Sequence, residues 1–209
     1  KPQPPTIKNG LNKFEWDLKY PAASNFKGMI LWSAPVYAGP TAVPGNYQVR
    51  MTSGSHVVTE NFELKMDPRV QDVSMADMQE KFNLSIQIRD EVSRANDAVI
   101  KIRSIKDKIM LEAKTSKKEI TPSNQSLMTQ LSNIEENLYQ VRNQSSQDPL
   151  NFPIKLNNKL ASLMRVVESG DYKPTAGSYK VFEELKAELS LEISHLEMIL
   201  AQKNIKKYL

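Results

Sequence analysis

No cysteine occurs in the sequence, which excludes disulfides, thiolate catalysis and zinc–thiolate sites. Histidine is nearly as scarce, with only His56 and His195, far apart in the chain. No run of about 18 apolar residues is present, so no stretch reads as a membrane-spanning helix. Glycine-rich phosphate loops, metal-ligand clusters and nucleophile elbows are also missing, and no cofactor or metal is expected. Nor is charge of one sign concentrated. The 209 residues carry 28 Lys and Arg against 24 Asp and Glu, a formal +4. Residues 1–68 hold 7 basic and 5 acidic groups, leaving 21 and 19 for the rest, so neither part is a basic platform for nucleic acid. The lysines at 203, 206 and 207 read as a complement to a helix dipole.

What is present divides into two patterns. Residues 1–5, Lys1-Pro2-Gln3-Pro4-Pro5, read as a linker to a preceding segment. Residues 6–67 read as β. Phe14, Trp16 and Leu18 alternate with charged neighbours, as a half-buried strand does. Met29 to Trp32 is a short apolar run consistent with a strand buried on both faces. Pro44-Gly45 marks a turn, and Tyr47, Val49 and Met51 alternate after it. Ser53-Gly54-Ser55 then closes a hairpin whose return strand carries Phe62, Leu64 and Met66. Several short strands over some sixty residues suggest a small Ig-like β-sandwich.

Residues 68–72 form a hinge after Asp67-Pro68, and from residue 73 to 209 the period is helical. Ser74 with Asp77 three residues on is an N-terminal capping signal for a helix over about 75–114. Leu127, Leu131, Ile134, Leu138 and Val141 step by four and three, an a/d seam. A third helix is expected from about Pro153 to Ser169, and a fourth carries Tyr179, Phe182, Leu185, Leu189, Ile193, Leu196 and Leu200 on one face. Four such seams imply an antiparallel four-helix bundle. The segment Gln147–Leu160, with Pro149, Pro153, Asn151, Asn157 and Asn158, is expected to turn a corner, with Leu150 and Phe152 filling a bundle end. The first helix exceeds the third by over twenty residues. Its surplus apolar surface must be covered by connecting stretches, by the β part, or by a second copy of the chain.

Candidate functional residues are few. The carboxylates Glu15, Asp17, Glu135-Glu136 and Glu183-Glu184 fall mostly outside the apolar seams and read as solvated faces, not as a glycosidase pair. No residue is assigned a catalytic, cofactor-binding or metal-binding role. Trp32, Tyr20 and Tyr37 lie near strand ends or loops, where exposed rings could stack on sugar faces.

Two groups of segments carry a family resemblance. GLNKFEWDLKYP (Gly10–Pro21), KGMILW and GPTAVPGNYQVRM resemble the region after the propeller in bacterial sortilin-like, BNR-repeat proteins, which are often labelled glycosyl hydrolases. SSQDPLNFPIKLNNKLASL (Ser145–Leu163) and the stretch from Pro174 resemble their helical tail. Asn12, Trp16-Asp17 and Pro44-Gly45-x-Tyr47 are also similar, more loosely, to the Ig-like domain of flagellar hook-capping proteins. In the sortilin-like proteins a β-propeller of Asp-box repeats precedes this region and would hold any catalytic residues. No Asp-box pattern occurs here, so the hydrolase label does not carry over. The resemblance implies a non-catalytic accessory region of a secreted, periplasmic or cell-surface protein, partnered by the upstream propeller. The alternative is a carbohydrate-binding module. No nucleic-acid partner and no membrane span are expected.

Overall fold

A computed structural model describes residues 7–34 and 38–209, without the side chains of Lys203 and Asn204. The order is two strands, β1 (Gly45–Ser53) and β2 (His56–Leu64), then four helices. These are α1 (Met75–Ser116), α2 (Pro122–Leu138), α3 (Leu156–Val167) and α4 (Ala176–Leu200). Short 3-10 turns stand at Asp148–Leu150 and Lys203–Tyr208.

The helix starts follow from local chemistry. Ser74 Oγ accepts from the Asp77 amide at 3.2 Å while the Ser74 amide donates to Asp77 Oδ2 at 3.0 Å, a reciprocal capping box. The Ser74 hydroxyl, which donates to Asp77 Oδ2 at 2.6 Å, and the Ser74 amide together hold the Asp77 carboxyl below its usual range. Thr121 caps α2, with Pro122 in the first turn, where its missing N–H costs nothing. Thr175 caps α4 by accepting from the Ser178 amide at 3.1 Å.

One apolar core runs along α1. Leu84, Ile88, Val92, Ala95, Val99, Ile102, Ile105 and Ile109 are buried, at spacings of three and four that hold one face of the helix inward. Against them lie Leu127, Leu131, Ile134 and Leu138 of α2, Leu160, Ala161 and Met164 of α3, and Phe182, Leu185, Leu189 and Leu196 of α4. Val141, expected to extend the α2 seam, lies past the end of that helix and is exposed.

The architecture is not an Ig-like β-sandwich followed by an antiparallel four-helix bundle. Among the described residues the only sheet is the two-stranded β1–β2 ladder, registered from Gly45 opposite Leu64 to Ser53 opposite His56. A sandwich needs two sheets, and beyond an isolated antiparallel bridge between Lys19 and Thr41 the other expected strands have no ladder partners among the described residues. Leu18 takes a left-handed φ of 60°, which breaks the extended run that Phe14 and Trp16 begin. Met29–Trp32 is an irregular strap packed on the helices, not a strand between strands. The helices do not form a bundle of their own either. A 42-residue α1 is matched by helices of 17, 12 and 25 residues. Non-helical chain completes the cover. Ala23, Phe26, Met29, Leu31 and Ala34 of the strap pack on the core, as do Ile205 and Tyr208 at the C-terminus. Lys108 Nζ donates to the Tyr208 carbonyl at 2.7 Å and holds that end in place. Leu150, expected to plug a bundle end, is 67% exposed.

Candidate functional site

The strap is held by polar side chains that the helices direct inward. Asn158, in the first turn of α3, clamps one residue at both backbone groups. Its Oδ1 accepts from the Trp32 amide at 2.6 Å and its Nδ2 donates to the Trp32 carbonyl at 3.1 Å. The Ile30 amide donates to the Tyr139 hydroxyl at 3.1 Å, and the Ser24 amide to Ser93 Oγ at 3.2 Å. Asn96, fully buried on α1, donates to the Ser24 carbonyl at 2.7 Å and accepts from Asn157 Nδ2 at 3.0 Å. A strand's backbone groups find partners in its neighbours' backbones. Here side chains supply them, as buried backbone requires.

Two acids, Glu135 buried and Glu168 part-buried, also tie the non-helical chain to the helices. Glu135 of α2 accepts from Arg103 Nε at 2.6 Å and Lys106 Nζ at 3.0 Å, and the Arg103 guanidinium lies 4.7 Å above the Phe26 ring. Strap, α1 and α2 are joined there. Glu168 caps the C-terminus of α3, an unfavourable place for a negative charge on dipole grounds. Three donors offset that: Thr41 Oγ1 at 2.8 Å, Ser85 Oγ at 2.7 Å and the Thr41 amide at 3.2 Å, with Lys19 Nζ at 3.6 Å. These contacts bind residues 19 and 41 to the helices. The chain crosses itself there at Gly39, where any Cβ would run into the Tyr20 and Pro21 carbonyl oxygens.

Beyond that crossing the hairpin projects from the core. Its two-residue turn places Gly54 at φ 58° in the first central position, which a primed hairpin turn favours. Tyr47, Val49 and Met51 of β1 share a mainly apolar face with Val58, Phe62 and Leu64 of β2, with Glu60 opposite Val49. Only the base of this face is covered. The Trp16 ring packs 5.5 Å from Tyr47 and 6.2 Å from Phe62, and its Nε1 donates to the Lys19 carbonyl. The Tyr47 hydroxyl donates to the Val43 carbonyl, and burial with the neighbouring Tyr20 raises its pKa. Val49, Met51 and Val58 remain 48%, 63% and 48% exposed. The opposite face is mostly polar, with Gln48, Arg50, Thr59, Asn61 and Glu63.

The three aromatic candidates are placed differently. Tyr20 lays its ring edge-on against Phe82 of α1, centroids 4.8 Å apart, and so ties the hairpin's aromatic base to the helices. Trp32 has its backbone clamped by Asn158 and is 38% exposed as a residue. Tyr37 lies outside the described residues. No contact between the Tyr20 and Trp32 rings is found among the described residues. His56 and His195 are both exposed, at the hairpin turn and on α4. Among the described residues no group of three His, Asp or Glu side chains could hold a metal ion, and no helix is long and apolar enough to cross a membrane.

Sequence reasoning missed the strap-binding set of Ser93, Asn96, Tyr139 and Asn158. One signal was available. Asn96 directly follows the seam residue Ala95, and Asn157-Asn158 stand in the first turn of a short helix next to its apolar residues Leu156 and Leu160; buried amides of this kind need partners. Comparison with family models, curated proteins and solved structures yields no match.

Proposed function

We propose that the chain is a non-catalytic interaction region whose hairpin docks, through its apolar face, on a β-sheet domain. The resemblance in the Gly10–Pro21 and Ser145–Leu163 segments names that domain as the upstream β-propeller of an exported, sortilin-like BNR-repeat protein. The observation that carries the reading is the uncovered outer half of the hairpin, Val49, Met51 and Val58, beside a packed base of Trp16, Tyr47 and Phe62. A lone two-stranded hairpin is marginal in water, and its free edges and apolar face are features that a partner surface completes. The buried and part-buried charges support the same reading. Glu135 and Lys81, which are buried, and Glu168, which is part-buried, are each engaged in joining segments of this chain.

The test is a calorimetric titration of the chain against a recombinant sortilin-like BNR propeller, with Val49→Asp and Met51→Asp alongside. Both positions lie outside the helical core, so the variants should keep the parent melting curve. Binding by the parent and a loss of at least about tenfold in each variant is expected. No binding by the parent, or equal binding by the variants, contradicts the proposal.

A second reading rests on Trp32, whose backbone is fixed while its ring is partly open. Such a ring is a platform for a sugar face. Oligosaccharide-dependent quenching of tryptophan fluorescence, abolished by Trp32→Ala and retained in Trp16→Phe, would support it.

A further inference from the structure

Helix α1 has an outward stripe that none of the docking above uses. Asp97, Ile100, Ser104, Asp107, Leu111 and Lys114 recur at steps of three and four on the side opposite the buried seam, and all six are exposed. Ile100 is 40% and Leu111 62% exposed, and they border a groove of about 450 Å³ with Phe26 of the strap. The side chains of Asp97, Ser104, Asp107 and Lys114 form no ion pair or hydrogen bond among the described residues.

The order of these residues is self-complementary. In an antiparallel pair of helices, a positions of one meet d positions of the other. With the twofold axis between Ile105 and Lys106, Ile100 meets Leu111, Ser104 meets Asp107, and Asp97 meets Lys114, each twice by symmetry. Apolar faces apolar, a hydroxyl donor faces a carboxylate, and opposite charges face each other. A parallel pairing sets Asp97 on Asp97, Asp107 on Asp107 and Lys114 on Lys114. Lys101 and Lys108 form a like-charge flank in the antiparallel register, but Lys108 is already turned onto the Tyr208 and Leu209 carbonyls.

We infer that α1 is a self-association surface whose occupant is α1 of a second copy of this chain, antiparallel and centred between Ile105 and Lys106. The stripe spans roughly 26 Å of helix. A contact so narrow falls among the smallest interfaces, so the dimer is reversible, with a Kd of roughly 10⁻⁵ to 10⁻³ M. The inference does not depend on the hairpin.

Sedimentation equilibrium of the full chain over that concentration range tests it. Asp97→Lys and Lys114→Asp should each raise the dimer Kd roughly tenfold, since each puts like charges in two symmetry-related layers. The double variant Asp97→Lys/Lys114→Asp should return to within about threefold of the parent, because the pairing is restored with reversed sign. A chain that stays monomeric throughout, a dimer indifferent to the single swaps, or a double variant as weak as the singles would each overturn the inference. Val49→Asp should leave the equilibrium unchanged; loss of the dimer in that variant would place the contact on the hairpin instead.

Discussion

Removing the amide of Asn158 should detach the strap without unfolding the helices. In Asn158→Ala the Trp32 amide and carbonyl lose partners at 2.6 and 3.1 Å, and Ser162 Oγ loses one at 3.2 Å. Each such bond contributes about 0.5–1.5 kcal/mol net. The two strap bonds together therefore stabilise the docked state by roughly 1–3 kcal/mol, towards the lower end because Trp32 is partly open and water can replace them. The core contacts of Ile88, Val99 and Leu160 are untouched, so the loss should appear as local opening before global unfolding. Amide exchange resolves this. The Trp32 N–H must exchange faster simply because its acceptor is gone. The informative amides are Ile30, held by Tyr139, and Ser24, held by Ser93, since neither touches Asn158. Their exchange should rise roughly 5- to 150-fold, with amides of α1 near Val99 unchanged. If Ile30 and Ser24 keep parental protection while Trp32 loses it, the clamp does not hold the strap and the reasoning fails.

Leu138→Asp puts a carboxylate at a fully buried position and should cost about 3–5 kcal/mol in urea denaturation; a change under 1 kcal/mol would remove α2 from the core. Glu135→Ala leaves Arg103 and Lys106 facing each other without their shared acid, at an expected cost of about 2–3 kcal/mol, moderated because Arg103 is partly exposed. Asp148 accepts from the Gln144 and Ser145 amides, which hold its carboxyl below the usual range. Its contribution is therefore present above the unfolded pKa near 4 and lost as pH falls through the lower folded value. An NMR titration should give a midpoint below that of a free Asp, and Asp148→Asn should flatten the acid limb of the stability curve.

The helical half was legible because its signals are local. The Ser74–Asp77 capping box and the Leu127–Leu131–Ile134–Leu138 seam stand as the spacing implied. The β1–β2 hairpin was legible too, because its turn and both alternating runs are contiguous in sequence. The strap was not. An apolar run such as Met29–Trp32 reports that its side chains are buried, not what buries them, and a helical surface serves as well as a second sheet. Leu18 illustrates a related limit: its positive φ stands where its carbonyl accepts from the Ala42 amide, a partner that no local pattern announces. The candidate site was misplaced for a similar reason. Aromatic rings near loops drew attention, whereas the inward amides of Asn96 and Asn158 organise the region, and their long-range partners are 61 to 126 residues away.

The most direct test of the docking proposal is deuterium uptake across Gly45–Ser53 and His56–Leu64, measured alone and with the sortilin-like propeller added. Docking through the apolar face predicts fast exchange in the free hairpin and clear protection of both strands in the mixture, with uptake in α2 and α4 unchanged. Protection confined to the helices, or none anywhere at saturating propeller, would contradict the account.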